Sequence, residues 1–128
     1  MQEQQLYEYA VIRVVPRVER EEFVNAGIIL FCKKTKYVDC RIALPVEKLQ
    51  CLSSGIDLDF IRQNLLAFEK IALGDQLSSS PIAQLDAPSR FRWLTATRST
   101  VIQCSKVHPG LTADLAVAME KLLQEIVL

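Results

Sequence analysis

The feature of this sequence that most limits its fold is an apolar run without a polar face. Residues 7–15 read YEYAVIRVV, and their β-branched and aromatic side chains predict a β-strand. This strand ends before Pro16, which cannot donate to a strand ladder. Both of its faces are largely apolar, with Arg13 as the odd residue. Such a strand has to be covered on both sides rather than half solvated.

Three further strands are predicted. The run from Phe23 to Cys32 predicts a second strand, and the residues KKTK separate it from a third strand in YVDCRIAL, so that these two form a hairpin. Gly27 inside the second strand predicts a β-bulge or a close backbone approach, since glycine otherwise weakens a strand. The stretch STVIQCS predicts a fourth strand.

Helical patterns fill most of the remaining chain. A short helix is predicted in PVEKLQCL, and the most regular one, LDFIRQNLLAFEKIAL, is capped by Asp57 and stopped by Gly74. The stretch DAPSRFRWLTA predicts a short helix capped by Asp86, with a strand as the alternative. The residues HPG are predicted to turn the chain into a last helix, which is capped by Thr112. Its apolar stripe is predicted to consist of Leu115, Met119, Leu122, Leu123 and Ile126.

This order of elements predicts an α+β fold. We expect a single domain over residues 1–128, with a mainly antiparallel sheet of about four strands packed against two longer helices and one or two short ones. Residues 1–5 are predicted to be a disordered or frayed N-terminus. The chain has 128 residues, half of them hydrophobic, which suffices for one core and is too short for two ordinary domains.

Charge and cysteine content limit the classes of function. The 15 basic and 15 acidic residues cancel, so we do not expect binding to nucleic acid or to an anionic membrane. No apolar run is long enough to cross a bilayer, and MQEQQ lacks the features of a secretory signal, which predicts a cytoplasmic protein. Reduced thiols are expected at Cys32, Cys40, Cys51 and Cys104. Only Cys104 and His108 are spaced like a pair of zinc ligands, and we expect no metal and no cofactor.

Basic charge is concentrated in one late segment. Arg90, Arg92 and Arg98 fall within nine residues, and their guanidinium groups suit carboxylates and phosphates. Trp93 beside them offers a face for stacking. The alternative is structural: the arginines form a solvated face or pair with linker carboxylates such as Glu22, and Trp93 belongs to the core.

Two residues are candidates for proton transfer. Glu22 lies in the charged linker between the first two strands, and His108 is the only histidine, predicted to lie ahead of a helix N-terminus. The short signatures GxSxG and HExxH and a phosphate-binding glycine loop are absent from the sequence. The predicted ligand-binding residues are Arg13, Arg20, Asn25, Arg90, Arg92, Trp93 and Arg98.

Two long stretches resemble a known bacterial family. YEYAVIRVVPRVEREEFVNAGIILFC and RFRWLTATRSTVIQCSKVHPGLT resemble the domain of unknown function DUF 3037, and the resemblance covers nearly the whole chain. Thr97 and Cys104 stand where the family pattern has prolines, which makes that segment less stiff. The matching positions are Arg13, Pro16, Arg20, Glu22, Phe23, Asn25 and Gly27, followed by Arg90, Arg92, Trp93, Leu94, Arg98, Ser99, His108 and Gly110.

The resemblance implies a small stand-alone cytoplasmic protein. Because the family has no known activity, the resemblance implies none for this chain. Family members are often encoded beside a kinase-like protein of the HipA class, which implies a protein partner.

Two hypotheses of function follow. The first is a non-catalytic binding or interaction domain, whose partner is a HipA-like kinase or a second copy of the chain. The second is an enzyme or sensor for a phosphate-containing ligand such as a nucleotide, in which arginines hold the phosphate and Glu22 or His108 moves protons.

Overall fold

The computed structural model describes residues 3–128, which form five strands and four helices. The strands are β1 (Gln5–Val14), β2 (Val24–Cys32), β3 (Tyr37–Ile42), β4 (Ile102–Cys104) and β5 (His108–Thr112). The helices are α1 (Val46–Leu52), α2 (Leu58–Ala72), α3 (Ala87–Thr95) and α4 (Leu115–Leu122). Short 3-10 turns lie at Val18–Arg20 and Pro81–Gln84, and a π-helical turn at Leu123–Val127 continues α4. The predicted α+β fold is confirmed, with five antiparallel strands instead of about four.

β1 is the central strand of the sheet. β2 pairs with one edge of β1 and with β3, which confirms the predicted hairpin. β4 and β5 both pair with the other edge of β1, so that they act as one interrupted strand. At the interruption, the Val11 N–H donates to the Ser105 hydroxyl at 2.8 Å. Met1 and Gln2 of the predicted frayed terminus lie outside the described residues, and β1 begins at Gln5.

The sheet separates two apolar cores, which confirms that both faces of β1 are covered. Ala10, Ile12 and Val14 pack into the larger core with α1, α2 and α3. Val11 points the other way and packs against α4, whose predicted apolar stripe, including Met119, forms the smaller core. None of the helices in the described part of the chain combines the length and apolar composition that crossing a bilayer requires.

A β-bulge in β2 confirms both predicted roles of Gly27. Ile12 pairs with Gly27 while the next residue, Arg13, pairs with Asn25, so Ala26 is the extra residue. A Cβ atom on Gly27 would lie 2.5 Å from the backbone oxygen of Arg41 in β3. Because successive strand residues alternate between faces, the extra residue turns Asn25 onto the same face as Arg13.

Two helices begin as their sequences predict. The Asp57 carboxylate accepts from the Phe60 N–H at the start of α2, and Gly74 follows the end of that helix with a φ of 67°. The Asp86 carboxylate accepts from the Ser89 N–H at the start of α3, which shows that the alternative of a strand is wrong.

The segment before α4 differs from its prediction. Residues 108–110 begin β5 instead of forming a turn, because the free edge of β1 supplies hydrogen bonds that outweigh their weak strand propensity. This strand requires glycine at position 110, because a Cβ atom on Gly110 would overlap the Tyr7 ring on β1. Thr112 ends β5, and the cap of α4 is Asp114, whose carboxylate accepts from the N–H groups of Ala116 and Val117. The predicted Thr112 cap is therefore wrong.

Candidate functional site

A cleft of about 560 Å³ lies at the end of β1, where the chain leaves the sheet. It is lined by residues from β1, the charged linker, the loop after α3 and β4. We refer to it as the arginine cleft, and the lining residues that matter below are Arg13, Glu21, Phe23, Arg98, Ser99 and Gln103.

Three neighbouring strands place a row of polar side chains on one face of the sheet. Arg13 in β1 pairs with Asn25 in β2 on one side and with Gln103 in β4 on the other. Directly paired residues share a face, so the three side chains stand next to one another. The bulge at Ala26 is needed for this row, because without it Asn25 would face the larger core.

Arg13 is a partly buried cation without an acidic partner among the described residues. Its Nε is buried and makes no hydrogen bond, and the guanidinium carbon lies 4.0 Å from the centre of the Phe23 ring. Neighbouring Asn25 donates from Nδ2 to the Ile126 carbonyl at 3.2 Å, while its Oδ1 is buried and unpartnered. The ring compensates the charge only in part, so the Arg13 guanidinium keeps unused hydrogen-bonding capacity.

Arg98 is the second guanidinium of the arginine cleft. Its guanidinium carbon lies 4.0 Å from the centre of the Trp93 ring, and its Nη2 donates to the Trp93 carbonyl. The same contacts hold the side chain against the end of α3. Trp93 itself is 40% exposed, so the alternative interpretation of it as a core residue is wrong.

Glu21 is the one carboxylate among the lining residues of the arginine cleft. It ends the 3-10 turn at Val18–Arg20 in a left-handed conformation, with a φ of 58° and a ψ of 17°. Non-glycine residues rarely adopt this conformation, and those that do are often found at functional sites. Glu21 is not among the site residues predicted from sequence, because the backbone conformation that places it in the cleft leaves no clear signal in sequence.

The charged linker pairs mostly with itself. The Arg20 guanidinium contacts Glu22 at 2.5 Å, and that of Arg17 contacts Glu19 at 2.8 Å. Within residues 3–128 no salt bridge joins these carboxylates to the arginines of the late segment. The expectation that the two segments form ion pairs is therefore wrong, because partners two residues away in sequence are already within reach.

The other predicted site residues lie apart from the cleft. Arg90 donates to the carbonyls of Ala72 and Leu85 at 3.3 and 2.6 Å, which ties the end of α2 to α3. Arg92 is exposed and lines a separate, smaller pocket.

His108 is exposed at the start of β5. The prediction that it lies ahead of a helix N-terminus is therefore wrong. His108 pairs with Tyr9, and their rings lie 5.5 Å apart. Since Tyr9 precedes Arg13 by four strand residues, His108 is about 13 Å from the arginine cleft along β1.

An apolar groove of about 550 Å³ adjoins the arginine cleft. One wall is a stripe of α2 with helical spacing, and the other is formed by Trp93 and the chain that follows it. Arg98, Ser99 and Gln103 line both the groove and the cleft. The stripe of α2 consists of Phe60, Asn64, Ala67, Phe68 and Ile71.

Two of the cysteines, Cys40 and Cys104, are unsuited to nucleophilic chemistry. Burial raises the pKa of the Cys104 thiol to about 12 and that of Cys40 well above its usual range. Both therefore stay protonated at neutral pH, where a thiol is a poor nucleophile and a poor metal ligand. The part of the chain that the structure describes holds no group of three His, Cys, Asp or Glu side chains arranged for a metal ion.

Comparisons with known proteins identify a family and no closer relative. No curated protein and no solved structure matches the chain significantly. The model of a family described as a protein of unknown function, DUF3037, matches residues 9–127. The match includes all of the arginine cleft and the apolar groove. Because it covers nearly the whole chain, the protein belongs to the DUF3037 family.

Proposed function

We propose that this protein is a non-catalytic binding domain that holds an anionic group in the arginine cleft. The observation that supports this most directly is the partly buried Arg13 guanidinium, which lacks an acidic partner within the described chain and shares its cleft with Arg98. A carboxylate or phosphate would pair with these donors in two parallel hydrogen bonds. Partial burial would strengthen the interaction, since charges attract more strongly at lower effective dielectric.

The arginine cleft favours a small anionic charge over a polyanion. Glu21 would repel additional negative charge while accepting a hydrogen bond from an N–H or O–H group of the ligand. The Ser99 hydroxyl adds a neutral hydrogen-bonding group. A single carboxylate next to an amide N–H satisfies these groups better than a nucleoside triphosphate does.

Binding is favoured over the hypothesis of a phosphate-handling enzyme or sensor. Of the two proton-transfer candidates, Glu22 is held by Arg20, and His108 pairs with Tyr9, four strand residues from Arg13. Neither lines the arginine cleft. A protein partner, whether the HipA-like kinase implied by the family resemblance or a second copy of the chain, fits this role if it presents an acidic group.

The test is to titrate wild type, Arg13→Gln and Arg17→Gln with acetate, inorganic phosphate and N-acetyl-aspartate amide at constant ionic strength. Thermal shift and calorimetry report the binding. Arg17 is the matched control, since it is an exposed arginine whose partner is Glu19. We expect Arg13→Gln to weaken anion binding about tenfold or more, the size of a lost charge-assisted hydrogen bond, and Arg17→Gln to leave it unchanged. Equal binding by all three proteins, or no binding by wild type, would overturn the proposal.

A further inference from the structure

We infer that the arginine cleft and the apolar groove together bind a peptide segment of a partner protein, one that carries an acidic residue close to large apolar side chains. This inference rests on the proposed anion-binding function of the cleft. It adds the class of ligand, and it assigns a role to the groove.

The two cavities are parts of one surface. Val18, Arg98, Ser99 and Gln103 line both of them, so the groove and the cleft adjoin along this boundary. The Arg98 guanidinium lies at this boundary and is held against the Trp93 ring. A ligand in the groove therefore reaches a fixed positive charge at one end, and this charge selects an acidic neighbour.

The groove presents large apolar side chains to solvent. Phe60 is 50% exposed and Trp93 is 40% exposed, although each belongs to a residue type that is mostly buried in folded proteins. Ala67 is also exposed and lines the groove with a small side chain. Aromatic side chains of this kind, next to arginine, are enriched in the cores of protein–protein interfaces.

Several polar side chains of the groove are already engaged within the protein. Asn64 donates from Nδ2 to the Phe60 carbonyl at 2.8 Å, and the Cys104 thiol donates to the Leu94 carbonyl at 3.5 Å. A nucleobase bound here would lose hydrogen bonds at its polar edge, whereas an aliphatic or aromatic side chain needs none. The groove is also open, while sites for small molecules enclose most of their ligand. Both facts favour a peptide.

The spacing of the peptide's binding groups follows from the shared boundary. An extended chain rises about 3.3 Å per residue, so four residues span about 13 Å, and we take this as the reach from the cleft into the adjoining groove. We expect a motif of Asp or Glu within four residues of Phe, Trp or Leu.

Peptides that bind the wild-type protein are selected from a display library of random seven-residue sequences. The enriched peptide is then synthesised with a fluorescent label. Anisotropy then measures its affinity for wild type and for four variants. Arg13→Gln removes one of the two cleft cations, and Ala67→Gln fills the groove at an exposed helical position. Arg17→Gln and Leu66→Gln are the matched controls, because Leu66 is an exposed neighbour of Ala67 on α2 outside the groove.

We expect the acidic–apolar motif, and we expect Arg13→Gln and Ala67→Gln each to weaken binding about tenfold or more. The two control variants should stay within about twofold of wild type. If Arg13→Gln abolishes binding of simple anions while Ala67→Gln leaves the peptide unaffected, the inference fails and the proposed function stands. If Arg13→Gln changes neither the binding of simple anions nor that of the peptide, the inference and the proposed function both fail.

Three further outcomes would overturn the inference. The first is a library that yields no acidic–apolar motif. The second is wild-type self-association in sedimentation that Ala67→Gln abolishes, which would assign the groove to a second copy of the chain. The third is displacement of the selected peptide by AMP at lower concentration than by N-acetyl-aspartate amide, which would assign the surface to a nucleotide.

Discussion

Ser105 and Arg90 show how single polar side chains complete the backbone hydrogen bonding of this fold. The Ser105 hydroxyl accepts from the Val11 N–H and donates to the Lys106 carbonyl, so the break between β4 and β5 leaves neither backbone group unpaired. Arg90 donates to the Ala72 carbonyl in the last turn of α2, which has no partner within the helix. Neither role can be predicted from residue type, because each depends on which backbone group lies opposite in the folded chain.

Cys104 is predicted to make stability depend on pH. Burial raises the pKa of its thiol from an ordinary value of 9.0 to about 12. A raised folded-state pKa gives a contribution that is complete below pH 9.0 and is lost as the pH rises towards 12. We expect the free energy of unfolding in urea to fall less between pH 8 and pH 10.5 for Cys104→Ala than for wild type. Cys51→Ala, which changes an exposed cysteine, should keep the wild-type pH dependence, and an equal fall in all three would contradict the prediction.

At the scale of elements, local signals predict the helices better than the strands. Capping aspartates identify α2 and α3, and a proline in the first turn marks α3 as well, because these interactions are made within a few residues of sequence. β5 carries no such signal: Pro109 and Gly110 are poor strand formers, and only pairing with β1 makes the segment a strand. An edge strand tolerates proline when the missing N–H faces away from its neighbour.

The cap of α4 can be tested by substitution. Asp114→Ala is expected to lower the free energy of unfolding by about 1 kcal/mol, because it removes the acceptor for two N–H groups of the first turn. Asp114→Asn keeps an acceptor and should stay close to wild type in the same urea titration. Thr112→Ala should cost less, since its hydroxyl bonds only to the backbone of Asp114. A larger loss for Thr112→Ala would instead identify Thr112 as the cap.

At the scale of the whole molecule, one sheet is shared by two cores. Ile12 and Val11 are neighbours in β1 and belong to different cores, so neither core can lose its packing without disturbing the central strand. This arrangement favours a single cooperative unfolding transition, as is usual for small single domains.

Met119→Ala tests this coupling. Met119 is fully buried in the smaller core, and its truncation should cost about 2–5 kcal/mol. Trp93 lies on α3, which packs on the opposite face of the sheet, and its fluorescence therefore reports on the other layer. In Met119→Ala we expect the unfolding transitions measured by Trp93 fluorescence and by far-UV circular dichroism to shift together to lower urea concentration. Val117→Ala, at an exposed position on α4, should shift neither, and an unchanged Trp93 transition in Met119→Ala would mean that the layers unfold independently.

Local sequence was enough to predict the α+β class, the two-sided β1, the β2–β3 hairpin, the special role of Gly27 and the starts of α2 and α3. Each of these follows from periodicity, capping or a steric limit that acts over a few residues. The candidate site was predicted only in part. Arg13, Trp93 and Arg98 line the cleft or the groove, whereas the other predicted residues do not, namely Arg20, Glu22, Asn25, Arg90, Arg92 and His108.

Tertiary structure decided the rest, because those features depend on pairing between distant segments. The bulge at Ala26 brings Asn25 beside Arg13, since a shift of one residue exchanges the two faces of a strand. The edge of β1 converts residues 108–112 into a strand and carries His108 away from the cleft. The left-handed turn at Glu21 places a carboxylate in the cleft. Sequence identified the charged residues, but strand register and backbone conformation determine which of them face one another.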